Sequence, residues 1–330
     1  MMRIGINGMG RIGRILFKML SEKSEYEVVA INDLMNADNL LYLLKYDSIS
    51  GPWGNSPEIS DKQLVLGTRK TRILNNADPA QLPWKELNVD LVIECTGRFT
   101  TYALAEKHLL AGAKKVLLST TGSENIPLII RGVNEGSLKK EQPILSIGGC
   151  MTNCTAILLG ALIKQHAVDS VQINVLHSYT SRQSLVDGPH KDIRRGRASG
   201  VSIIPVEIDL AETLERLLPE IKGKVAATST RVPVSNGALA HLYITLHDDV
   251  NVAQINSLYR VASEQVLKGI LQYNTDPIVS ADITGNSHSA IFDATLTSVV
   301  NHQLRIGAWF DNEFGYSTRL LETIETLNKF

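Results

Sequence analysis

Cys150 is the residue whose position best suits a chemical role. It follows a short apolar run, 143–147, that predicts a buried strand, and it precedes an apolar-periodic segment, 155–165, that predicts a helix. A helix N-terminus carries partial positive charge and free N–H groups, so it favours a thiolate and stabilises a nearby oxyanion. Cys150 is therefore a candidate nucleophile, although a lone cysteine is also a common core residue.

A second chemical pattern lies at the start of the chain. Residues 3–7 predict a short apolar strand, Gly8, Gly10 and Gly13 follow with G-x-G-x-x-G spacing, and a helical period begins at Arg14. The glycines permit a tight turn, close approach of the backbone to a pyrophosphate and close packing of helix on strand. The helix N-terminus then receives the negative charge. This strand-turn-helix context favours a dinucleotide site over a chance cluster of glycines.

An acid at the end of the next strand distinguishes between dinucleotides. Residues 26–31 predict that strand, and Asp33 stands 20 residues after Gly13. A carboxylate here accepts hydrogen bonds from ribose hydroxyls and repels a 2′-phosphate. Leu34 and Met35 follow it in place of a basic residue. The sequence therefore predicts NAD rather than NADP.

Further alternation of strand and helix follows. The pattern predicts a strand at 90–94, a helix at 102–110 and a strand at 115–118, with a loop at 47–58. In an open parallel sheet, ligands lie beyond the carboxyl ends of the strands. The residues at those ends are candidate cofactor contacts, with an ordinary turn as the alternative role of each: Thr96, Gly97 and Ser119.

The pattern changes after Gly149. Longer strand patterns at 225–233 and 239–246 and a helix at 252–267 predict a domain with a mixed or antiparallel sheet. The chain of 330 residues also exceeds the usual size of a single core. We therefore expect an α/β protein with a Rossmann-type, parallel-sheet NAD-binding domain at 1–149 and an α+β catalytic domain at 150–312.

Composition argues against several classes of function. The formal charge of −1 implies no general attraction to nucleic acid or to anionic membranes. We find no leader and no apolar run of membrane-spanning length, so we expect a cytoplasmic protein. The three cysteines, Cys95, Cys150 and Cys154, form no disulfide framework, and no His or Cys cluster completes a metal site.

Several blocks of sequence, in a fixed order, carry a resemblance to a known family. They are residues 4–8, 150–154, 177–180, 187–192, 231–233 and 309–316. Together they resemble the glyceraldehyde-3-phosphate dehydrogenase family, which includes erythrose-4-phosphate dehydrogenases, over essentially the whole chain. The resemblance implies NAD-dependent oxidation of a sugar-phosphate aldehyde through a thioester, by a homotetramer in which residues 178–202 line a neighbouring subunit's cofactor pocket.

The resemblance assigns catalytic roles to two residues. It implies that Cys150 attacks the aldehyde carbonyl, and that His177 raises the thiolate fraction of Cys150 and takes up a proton as hydride leaves. Without the resemblance, His177 is better explained as a core histidine that bonds to a backbone carbonyl.

The resemblance also implies cofactor contacts beyond the glycine motif. Arg11 and Ile12 match residues that meet the pyrophosphate at the helix start. Asn312 matches the residue that holds the nicotinamide carboxamide, with Tyr316 packed near it. We therefore expect a C-terminal helix, about 313–330, to pack back on the first domain.

Members of this family that release an acyl phosphate have two anion sites, and the first is matched here. Thr180 and Arg231 match residues that bind the substrate phosphate, and Arg195 lies in a nearby run rich in arginine, 194–197. Guanidinium groups suit bidentate phosphate contacts, although subunit contacts are an alternative role for this run. Arg182 replaces an acid of the usual pattern and makes the area more positive.

The second anion site, for inorganic phosphate, is altered. Gly149 and Met151 replace hydroxyl residues on either side of the nucleophile, and Asp209 stands where the anion would bind. Two like charges about 4 Å apart cost about 4 kcal/mol at an effective dielectric near 20. We therefore expect weak phosphate binding. Hydrolysis to a free acid, as in the erythrose-4-phosphate branch, is one alternative outcome, and a catalytically weak NAD-binding protein with another role is a second.

Overall fold

A computed structural model describes all 330 residues, which fold into two compact units. The first unit comprises Met1–Ile129, Glu135–Gly149 and Ser317–Phe330, and the second comprises Ile130–Asn134 and Cys150–Tyr316. None of the helices has both the length and the apolar character that crossing a bilayer requires.

The first unit is built on an eight-stranded sheet. Its elements are β1 (Met2–Asn7), α1 (Arg11–Ser21), β2 (Tyr26–Asn32), α2 (Ala37–Lys45), β3 (Glu58–Ser60), β4 (Gln63–Leu66), β5 (Arg69–Leu74), β6 (Leu91–Glu94), α3 (Tyr102–Leu110), β7 (Lys115–Leu118) and β8 (Ile144–Ser146). Six strands run parallel in the order β5-β2-β1-β6-β7-β8, and β4 and β3 extend the sheet antiparallel beyond β5. The prediction of a Rossmann-type sheet is confirmed, with an antiparallel edge that we did not predict.

The second unit is built on a seven-stranded mixed sheet, which confirms the predicted α+β class. Its elements are α4 (Cys150–Leu162), β9 (Val168–Ser178), β10 (Ile204–Val206), α5 (Leu210–Leu217), β11 (Val225–Val232), β12 (Ala238–Leu246), α6 (Val252–Glu264), β13 (Leu271–Asn274), β14 (Ala290–Val300) and β15 (Gln303–Phe310). The last helix, α7 (Phe314–Leu327), begins in this unit, and its residues from Ser317 onward belong to the first.

The turn between β1 and α1 depends on its glycines. Gly8 has a φ of +97°, a conformation that L side chains rarely adopt. A Cβ on Gly13 would lie 2.0 Å from the carbonyl oxygen of Gly8, so only glycine allows the helix to approach the strand this closely. The helix begins at Arg11, three residues before the predicted start at Arg14.

The predicted strand-to-helix elbow at Cys150 is present, but its helix starts earlier than expected. We predicted a helix from Thr155, because polar residues just before it interrupt the apolar period, and α4 instead begins at Cys150. Thr152 and Asn153 are buried in the helix, and the Thr155 hydroxyl donates to the carbonyl of Met151 at 2.9 Å. The helix is buried around nearly its whole circumference, so packing overrides the weak local pattern.

The register of the second sheet brings distant residues side by side. In the parallel pair of β9 and β11, His177 lies opposite Arg231, and Ser178 lies opposite Val232. In the antiparallel pair of β9 and β12, His177 lies opposite Ala238. The carboxyl end of β9 is therefore the point at which the chemical groups of this unit gather.

Candidate active site

Cys150 and His177 form a pair in the second unit. The Cys150 Sγ lies 3.7 Å from the His177 Nε2. The other ring nitrogen, Nδ1, lies 2.7 Å from the carbonyl oxygen of Ser178. A carbonyl can only accept, so Nδ1 carries the ring proton, and Nε2 presents its lone pair to the sulfur. The imidazole is therefore oriented as a base for the thiol.

Burial controls the protonation of both groups. It raises the pKa of the Cys150 thiol to about 11, against the charge of Arg231 and the backbone N–H groups of Met151 and Cys150, which lower it. Burial, and then the charge of Arg231, lower the pKa of His177 to about 3. Near neutral pH a thiol therefore faces a neutral imidazole. The expectation that the helix start would favour a resting thiolate is wrong, because the cost of burying the charge is larger.

Ser178 joins His177 to Asn312, a link that we did not predict from the sequence. Its carbonyl accepts the His177 Nδ1 proton, and its hydroxyl donates to the Asn312 Oδ1 at 3.1 Å. The backbone N–H of Gly237 donates to the same oxygen at 2.9 Å. Both bonds fix the amide orientation, so the Asn312 NH₂ group is the donor of this side chain. In the sequence, Ser178 belonged to the block of family resemblance at 177–180 but had no role assigned near His177, and Gly237 carried no signal.

Arg231 is a buried cation without a carboxylate partner. Its side chain is 7% exposed, its Nη1 lies 3.4 Å from the Ser178 carbonyl oxygen, and its Nε has no hydrogen-bond partner. Burial lowers the pKa of Arg231 to about 10, with smaller lowering from the positive charges of Arg195 and Arg182. Buried charges are normally paired, so these features favour a site for an anion.

The neighbouring loop offers further donors. The Gln183 Oε1 accepts from the backbone N–H and hydroxyl of Thr180, at 2.9 and 3.0 Å, and the buried Gln183 Nε2 has no partner. The Arg195 Nε lies 3.1 Å from the Asp192 Oδ2, so its charge is partly neutralised. A residue with an unpartnered buried donor beside Thr180 adds to the case for an anion site here.

The flanks of Cys150 and the start of α5 carry the altered positions. No atom lies within 4 Å of the place where a Cβ on Gly149 would stand. Met151 contributes its backbone N–H to the Cys150 sulfur, as described above. Asp209 is exposed, and its carboxylate makes no hydrogen bond to cap α5. It is therefore available as a free negative charge.

A groove of about 260 Å³ lies at the carboxyl ends of the parallel strands in the first unit. Gly8, Gly10, Asp33 and Thr96 are among the residues that line it. The two Asp33 carboxylate oxygens accept backbone N–H bonds from Met9 and Met35, at 2.6 and 2.9 Å. Each oxygen keeps a lone pair for a ribose hydroxyl, and α1 starts without a side-chain cap, so the residues present fit NAD.

The other predicted cofactor residues are not among those that line this groove. Arg11 forms a two-bond ion pair with Asp47. In the second of these bonds, the Arg11 Nη2 lies 3.1 Å from the Asp47 Oδ1. Ile12 and Gly13 lie in α1, Gly97 follows β6, and Ser119 follows β7. Tyr316 is buried near the start of α7. A larger cleft of about 900 Å³ at the β2 and β5 edge contains none of the predicted site residues.

Two family models match this chain. One is described as "Glyceraldehyde 3-phosphate dehydrogenase, NAD binding domain" and matches residues 2–102, and the other is the C-terminal domain of the same enzyme and matches residues 149–312. The chain belongs to the glyceraldehyde-3-phosphate dehydrogenase family. The predictions of this family, of an NAD-dependent oxidoreductase and of NAD as cofactor are confirmed.

Relatives that carry the family name are similar over nearly their full length. Glyceraldehyde-3-phosphate dehydrogenase 2 of Bacillus subtilis is 39% identical over 98% of this chain and 95% of its own. Glyceraldehyde-3-phosphate dehydrogenases of Mycobacterium avium and Borreliella burgdorferi are 41% and 42% identical, each over 99% of this chain and over 98% and 100% of their own. The two units therefore match the relatives as a whole.

The buried imidazole makes stability depend on pH. The pKa of His177 is lowered from 6.5 to about 3, so its contribution is fully present above pH 6.5 and is lost as the pH falls toward 3. We expect the free energy of unfolding to fall by about 1.4 kcal/mol per pH unit below 6.5 from this group alone. Urea titrations at pH 7.0 and 5.5 should show this loss to be smaller in His177→Asn than in the wild type. Equal losses in both proteins would contradict the assignment.

Proposed function

We propose that this protein oxidises a sugar-phosphate aldehyde through a thioester on Cys150. The proposal is supported above all by the Cys150 Sγ to His177 Nε2 distance of 3.7 Å, with Nε2 free to accept a proton. As a residue, Cys150 is half-buried, whereas Cys154 on the same helix is fully buried. A thiol that faces an unprotonated imidazole is activated at the moment of attack rather than in the resting state.

The residues of the second unit act in two chemical steps. The Cys150 sulfur bonds to the aldehyde carbon while its proton moves to the His177 Nε2. The imidazolium then passes this proton to the carbonyl oxygen, which gives a neutral hemithioacetal and restores the neutral imidazole. His177 then removes the hydroxyl proton as the carbon is oxidised to the thioester. The Ser178 carbonyl holds the ring by its Nδ1 proton and stabilises the imidazolium that forms transiently.

NAD, when bound, supplies the hydride acceptor for this oxidation. The groove in the first unit holds its adenosine and pyrophosphate through Asp33 and the start of α1. In the second unit, the Asn312 NH₂ group is the donor for the carboxamide, since its Oδ1 is held by Ser178 and Gly237. The residues that would hold the adenosine and pyrophosphate belong to the first unit, whereas the carboxamide donor and the Cys150 sulfur belong to the second.

Arg231 binds the substrate phosphate in this proposal, together with Thr180 and with Arg195, whose positive charge acts on Arg231. Removal of a guanidinium that pairs with phosphate costs about 3 kcal/mol, or roughly 10²-fold. The test compares kcat/KM for glyceraldehyde 3-phosphate with kcat/KM for unphosphorylated glyceraldehyde. We expect Arg231→Leu to lower the ratio of the first to the second by that factor. Arg194→Leu serves as the control, because it replaces an exposed arginine of the run at 194–197. An unchanged ratio in Arg231→Leu would exclude Arg231 from the phosphate contact.

The altered phosphate site favours a second candidate function, the oxidation of erythrose 4-phosphate to its free acid. Gly149 and Met151 lack the hydroxyls that would bind attacking phosphate, and the Asp209 carboxylate is unbonded at the start of α5. Both features disfavour a phosphate dianion more than they disfavour water. Water would then cleave the thioester, release the acid and restore the Cys150 thiol.

Steady-state NADH formation tests these proposals directly. Each aldehyde, glyceraldehyde 3-phosphate and erythrose 4-phosphate, is supplied with and without inorganic phosphate. If NADH forms only when phosphate is present, the proposal of hydrolysis is wrong. If the rate of NADH formation is the same with and without phosphate, hydrolysis is supported. The aldehyde with the higher kcat/KM identifies the preferred chain length. Absence of NADH with both aldehydes, in a protein that binds NAD, would overturn the enzymatic proposal.

We also propose a homotetramer in which residues 178–202 and their neighbours contact another copy. Four large apolar side chains of this segment and one directly after it are 72–84% exposed: Leu185, Val186, Ile193 and Val201, and then Ile203. Such a concentration on one segment is typical of an interface. We expect Ile193→Glu to shift the protein to smaller species in sedimentation velocity. Val266→Glu, at an apolar side chain 74% exposed elsewhere, should leave the assembly intact. Unchanged sedimentation of Ile193→Glu would contradict the contact.

A further inference from the structure

The first unit contains a buried ionisable pair that the proposed reaction does not use. Glu94, the last residue of β6, is 1% exposed, and His108 of α3 is fully buried. The His108 Nε2 lies 3.0 Å from the Glu94 Oε2, which also accepts from the Asn7 Nδ2 at 2.5 Å. The Glu94 Oε1 accepts from the backbone N–H of Thr96 at 2.7 Å and from its hydroxyl. The carboxylate therefore receives four hydrogen bonds.

Trp84 fixes the tautomer of His108. The fully buried indole Nε1 lies 3.0 Å from the His108 Nδ1. An indole N–H can only donate, so Nδ1 accepts, and the ring proton must lie on Nε2. Hydrogen bonds therefore run in one direction, from Trp84 to His108 and from His108 to Glu94. Reversal of any donor in this series would place two donors face to face.

The series ends at the wall of the dinucleotide groove. Asn7 and Thr96, the partners of Glu94, line the groove, as do Asn32 and Asn76. The Asn32 Nδ2 donates to the Asn7 Oδ1 at 2.7 Å, and the backbone N–H of Asn76 donates to the Asn32 Oδ1 at 2.9 Å. The polar side chains of the groove wall are thus hydrogen-bonded, directly or through Asn7, to the buried pair of Glu94 and His108.

We propose that Glu94 and His108 are positioning residues of the dinucleotide groove, which hold Asn7 and Thr96 in the orientation that receives NAD. Free rotation of either side chain would present the wrong polar atom to the cofactor or close part of the groove. The proposal rests on NAD as the cofactor and is independent of the aldehyde chemistry at Cys150. A role in folding alone is the competing explanation, so the test separates affinity from stability.

Two substitutions of His108 differ in the hydrogen bond that they keep. The glutamine amide nitrogen reaches the position of Nε2, so His108→Gln keeps the donor to Glu94 and loses the acceptor for Trp84. The asparagine amide oxygen reaches the position of Nδ1, so His108→Asn keeps the acceptor for Trp84 and loses the donor to Glu94. Both leave one bond of a buried network unmade, so we expect both to lower the urea midpoint.

Their NAD affinities, measured by calorimetry on the protein without aldehyde, should diverge. We expect the Kd for NAD to rise tenfold or more in His108→Asn and by less than threefold in His108→Gln. Equal increases in both variants, or none in either, would overturn the proposal in favour of a folding role. Because no aldehyde is present, failure of the proposed reaction at Cys150 would not change this result.

A second comparison keeps the test decisive if the His108 variants do not fold. Glu94→Gln turns an amide NH₂ toward hydrogen-bond donors on one side or the other. Asp90→Asn removes a carboxylate that lies just before β6 begins at Leu91. Asp90 accepts from the Arg3 N–H at 2.8 Å and the Lys114 Nζ at 2.7 Å and does not line the groove. We expect a Kd tenfold or more higher for Glu94→Gln and unchanged for Asp90→Asn. Unchanged affinity in Glu94→Gln would overturn the proposal.

Discussion

Replacement of Cys150 by alanine is expected to abolish NADH formation while NAD still binds. The substitution removes the only sulfur that faces the His177 Nε2, so no hemithioacetal can form. We expect kcat to fall by about 10⁴-fold or more, as is typical when a covalent nucleophile is lost. NADH absorbance with saturating aldehyde measures this effect. Calorimetry with NAD measures whether the groove of the first unit still binds the cofactor.

Cys154 provides the matched control, because it lies four residues later on the same helix. It is fully buried, and burial raises the pKa of its thiol above that of Cys150. Cys154→Ala should retain kcat within about tenfold, since only packing changes. Comparable residual activity in the Cys150 and Cys154 variants would mean that the reaction does not pass through Cys150.

Replacement of His177 by asparagine is expected to lower kcat by about 10²–10⁴-fold, the usual contribution of a positioned general base. Asparagine can still donate to the Ser178 carbonyl from the position of Nδ1, but it has no atom at the position of Nε2. The neighbouring backbone should therefore be little disturbed. The variant tests the base separately from the contact that orients it.

The pH profile of the same variant adds a sharper test. Without a base, attack depends on free thiolate, and the pKa of about 11 for Cys150 means that its fraction rises about tenfold per pH unit from 7 to 10. The wild type should show a flatter profile, because His177 is already unprotonated above about pH 4. Single-turnover rates across this range give both slopes. Equal slopes would show that Nε2 takes no proton in the limiting step.

Short-range features of the fold were predictable because their physical causes are local. Gly8 and Gly13 permit a turn that other residues would block, and Asp33 follows its strand at a fixed distance. The helix at Tyr102–Leu110 and the strand at Lys115–Leu118 match their predicted bounds. The start of α4 did not, because burial of Thr152 and Asn153 depends on what surrounds the helix.

The chemistry of the site was only partly predictable. The strand-to-helix pattern identified Cys150 as a candidate nucleophile, and only the family resemblance identified His177 as its partner. The direction of the Cys150 pKa shift was predicted wrongly, because the helix N-terminus is visible in sequence but the depth of burial is not. The role of Ser178 as the contact for both His177 and Asn312 has no sequence signature.

The sequence by itself determined the two-part α/β architecture, the NAD-binding turn and the presence of a thiol at a strand-to-helix elbow. Only the tertiary structure decided which groups meet there. Arg231 stands beside His177 because β9 and β11 pair in one register, although 54 positions separate them along the chain. Glu94 meets Asn7 through the register of β1 and β6, and it meets His108 because α3 packs beside it. Contacts between distant segments follow from sheet register and packing, which no local pattern encodes.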